Sequence, residues 1–350
     1  MKTIGYAAQS TTSPLEPWAF ERRDLRPNDV QMRIDWCGVC HSDLHQARND
    51  WGWSSYPVVP GHEIVGVVTA VGSDVTKYRE GDRVAVGCLV DSCQHCDQCE
   101  KGEEQLCREG NTQTYNGRDR ITGEPTYGGY SKDLVVREEF VLRMPDGLDP
   151  ARAAPLLCAG ITTWSPLKTW GVTEGTRVGV VGLGGLGHMA VKLAVGLGAH
   201  VTVISRSADK AADAAELGAH ALLVSSDKAA MKAASDSLDL IIDTVPVEHD
   251  LNPYLPLLDV DGTLVLVGQL GPIPNMSSLP LLLARRRVSG SPIGGIKETQ
   301  EMLDFCAEKG ILPDVEMIRM DEINHAFERL EKSDVRYRFV IDMSTLDAAA

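Results

Sequence analysis

The sequence predicts an α/β chain with two bodies, one β-rich with irregular loops and the other a doubly wound parallel sheet. Three observations predict it. Residues 1–150 are rich in glycine, proline and short apolar stretches such as 64–70 and 83–86. Turn pairs (Gly81-Asp82, Asp146-Gly147) punctuate them, as in an all-β body. From about residue 176 the pattern changes: apolar runs at 178–181, 201–204, 221–224, 240–242 and 264–267 alternate with helical stretches, notably 187–197 and 208–217. Strand and helix alternating at that spacing read as a parallel sheet. Finally, 350 residues exceed one small core, so two domains are the natural division.

Beyond Gly294-Gly295 a helix is expected over 299–308, then mixed structure ending in a strand at 338–342. The end, Ala348-Ala349-Ala350, is expected to fray. An apolar fraction of 43% and a charged fraction of 24% are those of a globular protein with a packed core. No apolar run of about 18 residues occurs, so no membrane span is expected. The opening Met1-Lys2-Thr3-Ile4-Gly5-Tyr6 lacks the basic-then-apolar order of a signal peptide, and a cytoplasmic location is expected. A net charge of −15 repels phosphate backbones and argues against nucleic acid as a partner. The basic run Arg285-Arg286-Arg287 reads as a solvated turn, a strand edge or part of a cofactor site.

Val178-Gly179-Val180-Val181 runs straight into Gly182-Leu183-Gly184-Gly185-Leu186-Gly187 and then a helical stretch. Gly182, Gly184 and Gly187 fit G-x-G-x-x-G with a strand before and a helix after. The first glycine permits the tight turn and the second lets backbone approach a pyrophosphate. The third allows helix to pack on strand, and the helix N-terminus favours the anion. The turn as a whole, with Gly185 and Leu186, is therefore the expected dinucleotide cradle. An NAD site places a carboxylate about twenty residues on, for the ribose 2′-hydroxyl. Here the second strand ends in Ser205-Arg206-Ser207, with Lys210 a turn later. Hydroxyls and cations suit a 2′-phosphate, so NADP(H) is expected.

The nine cysteines are unevenly placed. Cys93, Cys96, Cys99 and Cys107 stand as C-x2-C-x2-C-x7-C. Four thiolates in one short polar loop can fill every position of a tetrahedral Zn²⁺, which makes a structural site. The loop lacks the proline-terminated spacing of a bacterial iron–sulfur cluster. A second site has candidates far apart in sequence: Cys40 in Cys37-Gly38-Val39-Cys40-His41-Ser42-Asp43, His62 in Gly61-His62-Glu63, and Cys158 in Leu156-Leu157-Cys158-Ala159-Gly160. Two thiolates and an imidazole leave one position of zinc open, as catalysis requires. By spacing alone each could equally be an ordinary buried side chain.

Taken in order, segments 37–46, 59–66, the four-cysteine lobe, 154–162, 182–188, 298–310 and 334–340 resemble the zinc-containing medium-chain dehydrogenases/reductases. Within them the chain is similar to the cinnamyl alcohol dehydrogenase branch and its bacterial broad-range NADPH-dependent aldehyde reductases. The resemblance spans nearly the whole chain. It implies a GroES-like β-barrel catalytic domain at 1–157 and 296–350, a Rossmann NADP-binding domain at 158–295, two Zn²⁺ per chain, and a homodimer paired through the sheet edge at 288–293. It further implies that Cys40, His62 and Cys158 hold the catalytic zinc with Glu63 close behind. Asp43 would orient His62, and Cys37 would be a neighbour. Ser42 would be the hydroxyl beside the substrate oxygen and His45 the end of a proton relay. Thr162, Ser205, Arg206, Ser207, Lys210 and Arg338 match positions that contact the cofactor. Trp51 and Trp53 fall where smaller aliphatic side chains line the pocket of the plant enzymes, segment 111–115 lacks their tryptophan, and Ile293 lies on the other wall. The expected activity is hydride transfer between NADP(H) and primary alcohols or aldehydes, aromatic or medium- to long-chain aliphatic. A zinc-free quinone or enone reductase, or a catalytically silent binding protein, would share the fold but lack ligands or relay.

Overall fold

The computed structural model describes residues 1–268 and 271–346; the expected fraying at 348–350 lies outside them. The chain divides into two compact units, Met1–Cys158 with Gly295–Ala350, and Ala159–Gly294.

The first unit is built on a seven-stranded sheet. Its strands run in the order Val315–Arg319, Arg338–Asp342, Asp29–Val39, Ile64–Val71, Arg83–Val86, Leu142–Arg143, with Asp133–Arg137 also pairing to Asp29–Val39. Bulges between Gln31 and Met32 and between Ile34 and Trp36 bend the long strand, the device by which a sheet curls. Fully buried Met32, Ile64, Tyr130, Phe140, Leu142 and Phe339 fill the interior. This unit is not all-β, as residues 1–150 had suggested. Helix His41–Arg48 interrupts it, and Ile296–Lys309 and Ile323–Glu331 follow after the chain returns. The first of these helices starts where Cys40 and Asp43 form a reciprocal capping box, a local signal that outweighs the surrounding strand pattern.

In the first unit, Asp119 gathers a loop around its carboxylate. Both Asp119 oxygens accept from the Arg26 guanidinium at 2.9 Å, and Oδ1 also accepts from the Ile121 and Thr122 amides at 2.9 and 2.8 Å. Burial alone would raise this carboxyl, but the Arg26 fork and the two amides hold it well below the usual carboxylate range. A depressed carboxyl stabilises the fold above its unfolded value, about 3.9, and that stability is lost as pH falls below it. Asp119→Asn should therefore cost about 1–3 kcal/mol at neutral pH, a cost that shrinks below pH ~4. Urea midpoints of the two proteins, compared at both pH values, check this.

The second unit carries six parallel strands in the order Ala221–Val224, His200–Ser205, Arg177–Val181, Leu238–Asp243, Leu258–Leu266, Arg287–Gly290. In chain order this is 3-2-1-4-5-6, the doubly wound arrangement whose switch point lies between the first and fourth strands. Val181, Ile204, Leu238, Ile241, Leu257 and Leu264 belong to its core cluster. The strand expected at 264–267 begins earlier, at Leu258. Its first residues pair irregularly with Leu238 before regular register starts at Thr263, so the polar Asp259 and Asp261 hide it from an apolar count. The stretch 208–217 divides into a tight turn, Ala208–Lys210, and helix Ala211–Glu216. The triple arginine spans a helix end and an edge strand: Arg285 takes a left-handed conformation and pairs with Asp261, and Arg286 pairs with Asp236. Among the described residues no helix is long and apolar enough to cross a membrane.

Candidate metal centre and nucleotide turn

Three distant segments of the first unit bring Cys40, His62, Glu63 and Cys158 together. Cys40 caps helix His41–Arg48, His62 follows the left-handed Gly61, and Cys158 ends the turn Ala154–Leu157. One ligand atom from each of the four lies within 4.8 Å of all the others, and all four residues are buried. The Cys40 and Cys158 sulfurs stand 4.0 Å apart. Two thiolates sharing a tetrahedral zinc at about 2.3 Å would sit about 3.8 Å apart, so the donor set fits that ion. The Cys158 thiol, and then Arg338 and His62, hold the Cys40 thiol well below its usual range despite burial.

Asp43, fully buried, organises the trio from behind. Its Oδ2 accepts from the Cys40 amide at 2.9 Å and from the Tyr130 hydroxyl at 3.1 Å. Its Oδ1 accepts from the Gly61 amide at 3.0 Å and faces His62 Nδ1 at 3.1 Å. Burial pushes the His62 imidazolium down, but the Asp43 charge and its other neighbours outweigh burial and the net shift is upward. The Tyr115 ring packs on the His62 ring, centroids 5.6 Å apart.

Glu63 is ion-paired to Arg338, both buried. Burial pushes the Glu63 carboxyl up to about 7, against the lowering pull of Arg338. Its second oxygen is buried with no hydrogen-bond partner. Gly38 makes this possible, since a Cβ there would collide with the Glu63 carboxylate. Arg338, expected at the cofactor, is thus committed on one side to Glu63, while its Nε lacks a partner. Ser42 Oγ lies 3.6 Å from the Cys40 sulfur. His45 Nδ1 meets the Asp50 carboxylate at 2.7 Å, and His45, Trp51 and Trp53 form a run of rings with centroids 5.5 and 5.4 Å apart. Trp53 is 57% exposed. Cys37 is buried but stands outside the ligand group.

Cys93, Cys96, Cys99 and Cys107 form the second cluster, with Cys93 and Cys99 sulfurs 3.8 Å apart, again the tetrahedral spacing. The Arg108 amide, first among several backbone donors, lowers the Cys96 thiol to about 6, while burial raises Cys99 to about 12. Glu104 anchors the lobe by accepting from the Ile296 amide at 2.9 Å.

In the second unit, Gly182 sits at φ +87°, and a Cβ on Gly187 would collide with the Gly182 carbonyl. Gly184 has open space where its Cβ would be, which leaves backbone approachable. Helix Gly187–Gly196 starts here, and Thr244 Oγ1 donates to Val181 O at 2.8 Å across the switch point. Gly185 and Leu186 complete the turn. Thr162 Oγ1 is buried with no hydrogen-bond partner. Arg206, Ser207 and Lys210 are exposed and Ser205 half-buried at the end of the second strand. Ile293 is half-buried in this unit.

Two family models match: an alcohol dehydrogenase GroES-like domain over residues 26–146 and a zinc-binding dehydrogenase over 185–308. An NADP-dependent alcohol dehydrogenase C of Mycobacterium bovis is 54% identical, covering 99% of this chain and all of that one. The chain belongs to the zinc-type alcohol dehydrogenases of the medium-chain dehydrogenase/reductase superfamily. It is therefore an oxidoreductase of alcohols and aldehydes that uses a nicotinamide dinucleotide, like the other zinc-type alcohol dehydrogenases. A probable cinnamyl alcohol dehydrogenase of Nicotiana tabacum is 52% identical over 97% of the chain and 96% of the relative. Among solved structures, a cinnamyl alcohol dehydrogenase of Sorghum bicolor superposes with a TM-score of 0.95 at 47% identity, covering 98% of each chain. One from Helicobacter pylori complexed with NADP(H) gives 0.91 at 42%, covering 98% of this chain and 99% of that one.

Four residues at the centre escaped sequence reading: Tyr130, Tyr115, Asp50 and Cys88, whose thiol faces Leu157 O at 3.6 Å. The pair Gly128-Gly129 before Tyr130 was the available signal, because adjacent glycines mark close backbone approach. The other three carry no local signature.

Proposed function

We propose that this dehydrogenase is an NADP(H)-preferring aldehyde reductase with one catalytic and one structural zinc. Residues 1–157 and 296–350 would be its catalytic domain and 158–295 its cofactor domain. The observation that carries this reading is the convergence of Cys40, His62 and Cys158 on one point, buried and at zinc-sharing distances. Zinc held by these three supplies a Lewis acid for the carbonyl when bound, and the reduced cofactor supplies the hydride. Asp43 keeps the His62 ring aimed and in one tautomer. Ser42, beside Cys40, holds the proton destined for the product oxygen, and His45 passes protons to solvent. If Nδ1 of His45 donates to Asp50, its Nε2 is the basic nitrogen free for that exchange. Glu63, its charge shared with Arg338, is a further carboxylate within reach of the metal.

For the cofactor, the cradle is Gly182, Gly184, Gly185, Leu186 and Gly187, with Thr162 and Arg338 as further contacts. The 2′-phosphate is assigned to Ser205, Arg206, Ser207 and Lys210, supported by the lack of a carboxylate at that strand end. Trp51 and Trp53 offer an aromatic surface next to His45, which favours aromatic or long aliphatic aldehydes, with Ile293 as a further pocket residue. The free cysteines suit a reducing, cytoplasmic setting. Zinc analysis together with a panel crossing NADPH and NADH with short, long-chain and aromatic aldehydes tests the reading. A single zinc per chain, or equal use of both cofactors, would contradict it.

A homodimer completes the proposal. Leu279, Leu282 and Leu283 are 60%, 76% and 77% exposed, beside the edge strand Arg287–Gly290. Such leucines next to an open strand edge suit pairing with a second copy. A Leu282→Asp, Leu283→Asp protein should sediment as a monomer where the parent sediments as a dimer.

A further inference from the structure

The Asp43 carboxylate is the hub of the metal centre, and among its donors is one held from outside the ligand loops by backbone bonds. Two donors are backbone amides of the ligand segments themselves, Cys40 and Gly61, and the third is the His62 ring. A fourth is the Tyr130 hydroxyl, 3.1 Å from Oδ2. Tyr130 is fully buried, and its segment is stapled to the loop before His62. Gly128 N donates to Val59 O at 2.7 Å, Gly129 N to Gly61 O at 2.8 Å, and Tyr130 N to Pro60 O at 2.9 Å. The fit is mutual, because a Cβ on Gly61 would strike the Tyr130 ring. Backbone bonds thus fix where the phenol stands, and the phenol reaches across to the carboxylate.

A buried carboxylate with an unfilled lone pair is costly, and it turns to recover a partner. Without the Tyr130 hydroxyl, Oδ2 would lose a partner fixed by backbone bonds, and any rotation would be passed to His62 through Oδ1. We propose that Tyr130 is a positioning residue for the catalytic metal: its hydroxyl locks Asp43, and through it the His62 ring and the Cys40 backbone, in the ligand geometry. This rests on the reading that Cys40, His62 and Cys158 hold zinc. Tyr130 acts through Asp43, and it sets how tightly the ion is kept.

The test is zinc release from the whole protein into a chromophoric chelator, resolved into a catalytic and a structural phase. Tyr130→Phe keeps the ring and loses only the hydroxyl. It should speed the catalytic phase by about 10- to 100-fold, the effect of one hydrogen bond to a charged group, and leave the four-cysteine phase unchanged. Cobalt placed in the catalytic site should show a shifted visible spectrum in the variant. Phe140→Leu, a trimmed core side chain in the same unit, controls for general loosening and should not speed the catalytic phase selectively. Unchanged catalytic release in Tyr130→Phe, or equal acceleration of both phases, overturns the inference while leaving the zinc reading intact. A parent protein that releases one zinc per chain overturns both.

Discussion

Replacing Cys40 by alanine should lower aldehyde reduction by about a thousandfold or more and reduce bound zinc from about two to about one per chain. Cys40 is one of only two thiols in the buried group, 4.0 Å from the other, so its loss leaves an imidazole, one thiol and a carboxylate already paired to Arg338. That set cannot hold the ion with comparable strength, and the Lewis acid goes with it. The four cysteines of the lobe are separate in sequence and form their own cluster, so their zinc should stay. Elemental analysis alongside steady-state rates measures both quantities on one preparation. Full activity in the variant would dismiss the metal mechanism altogether.

Arg206→Ala should reduce kcat/KM for NADPH by about 10- to 100-fold and leave that for NADH nearly unchanged. Arg206 stands exposed at the end of strand His200–Ser205, where an NAD enzyme keeps a carboxylate. A guanidinium there can grip a phosphate through two parallel bonds, and it has nothing comparable to hold on a bare hydroxyl. The effect must therefore appear in one cofactor only. Equal losses with both cofactors would point to a general defect of the fold and remove Arg206 from the specificity argument.

The sheet order of the second unit was legible because its strands are buried on both faces and read as unbroken apolar runs between helices. The start of strand Leu258–Leu266 was not, because its irregular first half carries aspartates that pair with Arg177 and Arg285. Helix His41–Arg48 was hidden inside a β-rich stretch; its cause is a three-residue capping exchange, too short to register as periodicity. Cys40, His62 and Cys158 could be named from residue type and resemblance, but their meeting depends on three loops that no local pattern describes. The carboxylate behind them shows the limit more sharply. Asp43 could be proposed because the resemblance extends to it, whereas Tyr130, on the same oxygen as the Cys40 amide, lies 87 positions away.

Strand Arg338–Asp342 lies inside the seven-stranded sheet, between Val315–Arg319 and Asp29–Val39, with Phe339 opposite Val39. An inner strand of the first unit thus follows the whole of the second unit in chain order. Residues 159–294 can complete their own parallel sheet while the sheet of the first unit still lacks this strand and Glu63 its arginine. Sequence order and assembly order are inverted: the first unit can be finished only once the second has been made, and its buried acid finds its counter-charge 275 positions further along.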